Sequence, residues 1–198
     1  MTKAPTNPSN PTNPTNSTKS APSATSHTSG SDERTNVLRA YFLSLLPAET
    51  AANDRALDSL LTVPAWYQTS EAYRRALGLM AHLVLAKRVW LLRLENQPWQ
   101  VDDWFAPWSV EDSRAQGRVE DERWRTFLER LGPGDLDRTL GYTASDGVRY
   151  ESRVLDILTH VFNHSTYHRG QVARIVHQCE GRRAGTDFVA LTRRKVEG

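Results

Sequence analysis

Apolar residues recur at intervals of three and four in four stretches of this chain, and at intervals of two in one. Leu38, Tyr41, Phe42 and Leu45 mark a first helical face. Pro47 is expected to break or kink that helix before it resumes through Leu57, Leu60 and Leu61, and it suits the first turn of the second piece. The segment Leu77-Gly78-Leu79-Met80-Ala81-His82-Leu83-Val84-Leu85-Ala86 is apolar nearly all round, as a helix enclosed by others must be. Ser70 is placed to cap it, and it runs to about Leu94 before the loop from Pro98 to Trp108. Trp124, Phe127, Leu128 and Leu131 give a third helix ended by Gly132-Pro133-Gly134. Alternation then shortens to two, with Leu140 and Tyr142 before Asp146-Gly147 and Val148 and Tyr150 after it, which predicts a hairpin. Ser152 is placed to cap the last long helix, whose stripe is Val154, Leu158, Val161, His168, Val172 and Ile175, and Glu180-Gly181 closes it. The predicted fold class is all-α: a four-helix bundle with a small β-hairpin and a short C-terminal helix.

Composition changes this picture at one end. Met1 to about Glu33 is a tract of Thr, Asn, Ser and Pro with a loose Thr-Asn-Pro repeat and almost no large apolar side chain. Such a tract buries no core, so residues 1–33 are expected to be a disordered tether and residues 34–198 a single helical domain. The tract lacks the apolar centre of a secretory signal, and no other run is long and uncharged enough to span a bilayer. A single cysteine, Cys179, excludes an intramolecular disulfide framework and fits a reducing cytoplasm; its expected role is packing near a helix end. The net charge is only +2, and apart from Arg182-Arg183 and Arg193-Arg194-Lys195 the basic residues alternate with acids, so nucleic acid is not the expected partner.

The chemistry lies in the last long helix. His160, His164 and His168 are spaced four apart, and His164 and His168 fall on its apolar side. Residues so spaced sit about 5–6 Å apart at Cβ, near enough for two imidazoles to share one divalent ion. The alternative is a set of core histidines satisfied by backbone carbonyls. His160 and His168 are about 12 Å apart along the axis and do not meet on one ion, but spacing leaves His160/His164 and His164/His168 as equal pairs. A third ligand is offered by His82, at the middle of the apolar helix; packing the two helices together gives a three-histidine site with open positions.

The run His160-Val161-Phe162-Asn163-His164-Ser165-Thr166-Tyr167-His168-Arg169-Gly170-Gln171 closely resembles the signature of the DinB family, among the DinB/YfiT-like metal-binding bundles. The stretch from Ala81 to Leu94 resembles the family's first-histidine helix, Tyr142 to Tyr150 its hairpin, and Thr186-Asp187-Phe188-Val189 its closing segment. The resemblance implies metal ligands at His82, His164 and His168, leaves His160 as a pocket residue or a support for the ligands, and implies a homodimer. The chain departs from the pattern early: where many relatives have an aromatic-rich first helix leading to an asparagine, it reads Pro47-Ala48-Glu49-Thr50-Ala51-Ala52-Asn53.

In the His-x-x-x-His motif Ser165 stands where a zinc peptidase has glutamate, so peptide hydrolysis is disfavoured. Three neutral ligands leave an ion's charge uncompensated and favour an anionic fourth ligand such as a thiolate. Thiol-using transferases and isomerases occur in the broader superfamily, and the resemblance thus implies a thiol S-transferase acting on a small-molecule substrate, with a low-molecular-weight thiol as cosubstrate. The alternative is a non-catalytic, damage-inducible metal-binding stress protein. Zinc and nickel are the expected ions, although imidazole also suits copper and iron. His160 or Tyr167 would assist proton movement, and Asn163 and Gln171 would hold the ligands from behind. Gly170 is expected to permit a close helix contact. Arg169 is expected either to face solvent or to pair with an acid, and the Trp99, Trp104 and Trp108 loop either to cover the metal pocket or to pack across a bundle edge.

Overall fold

The computed structural model describes residues 27–144 and 147–196. Four long helices, α1 (His27–Leu60), α2 (Glu71–Leu94), α3 (Val110–Glu129) and α4 (Val154–Gln178), pack so that α2 touches α4, α4 touches α1, α1 touches α3 and α3 touches α2. The apolar faces read from the sequence therefore close into a four-helix ring. Strands β1 (Thr139–Thr143) and β2 (Arg149–Arg153) form an antiparallel hairpin with Tyr142 opposite Tyr150, and the short helix α5 (Phe188–Thr192) lies on α1. No helix among the described residues is long and apolar enough to cross a membrane.

The core falls into two clusters. One gathers Leu57, Leu60, Met80, Leu83, Val172 and Val176, the other Leu46, Leu91, Trp124, Leu128, Leu158 and Val161. On α4, His164 and His168 fall between Val161 of the second and Val172 of the first. They stand where apolar packing is interrupted. Between α2 and α3, Trp124 Nε1 donates to the Lys87 carbonyl at 3.1 Å, Lys87 pairs with Asp121, and the buried Glu120 accepts from Arg88 at 2.7 Å. These partners fix the register of the two helices, because sliding either one would leave a buried charge unpaired.

Several sequence expectations are corrected. Helix α1 runs unbroken through Pro47. The ring removes one N–H, but Phe42 and Leu46 before it and Ala48 and Ala52 after it are all buried, so packing on both sides keeps the helix in one piece. The helix also begins at His27, inside the tract assigned to the tail, since each residue added to a formed helix gains a hydrogen bond at no new nucleation cost; the rest of the tail lies outside the described residues. Ser152 does not cap α4. It belongs to β2, its hydroxyl lies 3.3 Å from that of Tyr142, and the strand passes directly into the helix with Arg153 as an N-cap whose side chain bonds Asp156 and caps no backbone N–H.

Other boundaries follow local chemistry. Ser70 caps α2 by accepting from the Tyr73 N–H at 3.1 Å. Gly134 and Gly147 both have φ of +80°, which glycine adopts without strain; Asp146, its partner in the expected turn, lies outside the described residues. Helix α4 ends with Glu180 at φ +59° and the Gly181 N–H bonded to the Val176 carbonyl at 2.8 Å.

Candidate metal centre

Helices α2 and α4 bring His82, His164 and His168 together, with one ring nitrogen of each within 4.8 Å of the others. His164 Nε2 lies 3.2 Å from His82 Nε2 and 3.1 Å from His168 Nε2. On its far side His168 presents Nδ1 to Gln171 Oε1 at 2.9 Å. With the carboxamide oxygen so placed, Nδ1 carries the proton and Nε2 turns a lone pair inward. A neutral His164 Nε2 either donates or accepts, so it cannot do both toward its two neighbours. The arrangement is over-supplied with lone pairs and matches nitrogens gathered about a single centre 2.0–2.1 Å from each. A divalent cation satisfies all three at once.

Electrostatics favour the ligand-ready state. Burial, then the neighbouring His168, push the His82 imidazole down to about 4, against a weak opposing effect of the Trp104 backbone. Burial, then His168, His82 and His160, push His164 down to about 3. Both rings are neutral at pH 7, so a metal meets no proton to displace from them. The unfolded chain takes up these protons near pH 6.5 while the folded one resists, so the stability of the metal-free protein is complete above that pH and falls as pH drops toward 4. The expected result is a thermal midpoint several degrees lower at pH 5 than at pH 7, and a smaller drop in a His164→Asn variant. Equal drops in the two proteins would contradict the buried neutral imidazole.

A cavity of about 700 Å³ opens beside the three histidines, walled by Trp90, Trp99, Trp104, Phe105 and Tyr142. Phe105 stacks on the His82 ring at 4.5 Å and Trp104 meets it edge-on at 5.9 Å. Phe105 and Trp104 of the tryptophan loop thus cover the His82 ring, the first of the loop's two expected roles. What holds it close is Gly78. A Cβ at that position would overlap the Phe105 carbonyl oxygen, whereas one at Gly170 would meet nothing within 4 Å. Gly170 therefore serves no close helix contact; it sits on an exposed part of α4, and the close approach is at a glycine that sequence reasoning passed over. Gly78→Ala is expected to push the loop off His82, lowering stability by about 1–3 kcal/mol and shifting tryptophan emission to the red. An unchanged emission maximum would show that the loop accommodates the methyl.

Residues 52–172 match the DinB superfamily, more than half of the chain, including all three histidines, the hairpin and the His160 to Gln171 run. The chain belongs to the DinB superfamily. No curated protein and no solved structure matches it. As in the DinB resemblance read from the sequence, the histidines brought together are the His164/His168 pair with His82, so the choice that spacing left open is made by the packing of α2 against α4. His160 is one turn away, its ring 5.2 Å from that of His164 and 5.6 Å from that of Trp90, and desolvation there holds it below the ordinary imidazole value. Tyr167 is 65% exposed and packs edge-on against the outer side of His168. Asn163 faces a different cavity, beside Phe162, Thr166 and Asp187, and does not reach the histidines.

Arg169 pairs with an acid. It is 4% exposed, donates to Glu49 Oε1 at 2.8 Å and Asn53 Oδ1 at 2.9 Å, and meets Thr166 Oγ1 at 3.0 Å. The segment from Pro47 to Asn53 thereby supplies a buried anchor that holds α1 against the turn of α4 carrying His168.

Proposed function

We propose that this protein is a metal-dependent thiol S-transferase that joins a low-molecular-weight thiol to a small electrophile. The observation that carries this reading is the convergence of His82, His164 and His168, with the His82 and His164 rings opening onto a large aromatic-walled cavity. A site serving stability alone would be closed by a fourth protein ligand. Held by His82, His164 and His168, a divalent ion such as zinc or nickel would supply the positive charge that favours the ionised form of a thiol.

The remaining work falls to the chain's own residues. His160, one turn from His164 and in ring contact with Trp90 of the cavity wall, is the base this reading assigns to the proton that leaves sulfur. Trp90, Trp104 and Phe105 exclude water from one side of the cavity and offer flat faces to an electrophile. In the transfer the sulfur electron pair forms the new bond to carbon, and the leaving group departs with the pair from the bond that breaks. Tyr167 lines a different cavity, beside Gly170 and Arg174, so this reading gives the proton to His160.

The test uses cobalt in place of the native ion. Adding a low-molecular-weight thiol to the cobalt-loaded full chain is expected to change its visible spectrum, His82→Ala to abolish the change, and the wild type to conjugate the thiol to 1-chloro-2,4-dinitrobenzene faster than buffer does. An unchanged spectrum with no electrophile consumed would favour the non-catalytic metal-binding protein.

A further inference from the structure

The cavity beside the histidines has a second polar feature. Arg93 lies on its wall with its guanidinium carbon 4.9 Å from the ring centre of Trp90, 4.6 Å from Trp99 and 5.1 Å from Tyr142. Arg88, Arg114 and Arg123 each reach a carboxylate, whereas Arg93 has no carboxylate partner among the described residues. One Nη2 hydrogen goes to the Thr143 carbonyl at 2.9 Å; its other N–H groups meet no protein acceptor among the described residues. Burial disfavours the charge here and lowers its affinity for a proton, an unfavourable placement that an incoming anion would offset. The aromatic rings accept no hydrogen bond in the plane of the guanidinium, so its N–H edge is the side that takes a planar carboxylate through paired hydrogen bonds.

Arg93 also stands in line with the metal centre. It follows His82 by eleven residues on α2, three turns and about 20°, so both face the same cavity, with their Cα atoms about 16 Å apart along the axis. Helical side chains lean toward the N-terminus, and the longer arginine reaches further in that direction than the imidazole, so the guanidinium lies nearer the histidines than the spacing of the Cα atoms.

We propose that the cavity binds an elongated molecule bearing a carboxylate, which Arg93 holds at one end while the reacting group lies over His82, His164 and His168 at the other. This rests on the reading of the cavity as a substrate site and adds the chemical class of what fills it: a carboxylate-bearing thiol of extended form. Arg93 is the specificity-determining residue, and Trp90, Trp99 and Tyr142 hold its edge toward the cavity.

The test measures binding by tryptophan fluorescence to the zinc-loaded full chain, using ω-mercaptoalkanoic acids of graded length, the matching ω-mercapto alcohols, and the S-methyl derivatives of both. The acids are expected to bind about ten- to a hundredfold more tightly than the alcohols, with an optimum at an intermediate length. Arg93→Gln should erase that preference by weakening the acids far more than the alcohols, and Arg93→Lys, which keeps the charge without the paired donors, should restore only part of it. Equal binding of acids and alcohols by the wild type, binding of none of the probes, or an acid preference that survives Arg93→Gln would overturn the proposal. If S-methyl acids keep the Arg93-dependent preference but bind as tightly as the free thiols, the carboxylate site stands and the thiol reading is what fails.

Discussion

Replacing Glu49 by glutamine should lower stability by about 3–5 kcal/mol, the cost of leaving a buried charge without its partner. Glu49 and Arg169 are 6% and 4% exposed, so solvent offers the guanidinium little compensation. Asn53 and Thr166 keep their contacts with Arg169, which places the expected loss at the lower end of that range. For a chain of this size each kcal/mol corresponds to about 2–4 °C, so the midpoint should fall by roughly 6–12 °C, as scanning calorimetry would read. A double variant, Glu49→Leu with Arg169→Met, should recover most of the loss, because an apolar pair leaves nothing unsatisfied. A single variant that melts within a degree of wild type would show that the pair is hydrated and does not anchor α1 to α4.

The second large effect is the contribution of the ion. Removing it with a chelator should lower the midpoint, and zinc should restore it, because an ion that binds only the folded chain stabilises by about 4.1 kcal/mol at a thousandfold its Kd. In His164→Ala the zinc-dependent increment should vanish, since His164 Nε2 is the nitrogen that both other ligands approach. Equal melting with and without metal in the wild type would mean that the three rings form only a hydrogen-bonded cluster.

Much of this was legible in the sequence because it is periodic and local. Stripes at intervals of three and four located α2, α3 and α4, alternation located the hairpin, and Ser70 announced the start of α2. The histidine spacing on α4 exposed the site but left His160 and His168 as equal partners for His164; the family resemblance pointed to His168, and the packing of α2 against α4 brings His82 to that pair. What the sequence hid depends on contacts between distant residues. Arg169 and Glu49 are 120 residues apart, and nothing local marks either as buried. Gly78 and Gly170 look alike in their helices, and only the loop at Phe105 tells them apart. Pro47 obeyed its tertiary surroundings rather than its own preference, and Ser152, a plausible cap by position, was already part of β2.

The central claim is that His82, His164 and His168 form one metal site in which His160 is not a ligand. The most direct test is the metal content, by inductively coupled plasma mass spectrometry, of untagged protein and its single alanine variants after exposure to zinc and gel filtration. One ion per chain in the wild type and in His160→Ala, with none in His82→Ala, His164→Ala or His168→Ala, is the predicted result; full occupancy in His168→Ala would contradict it.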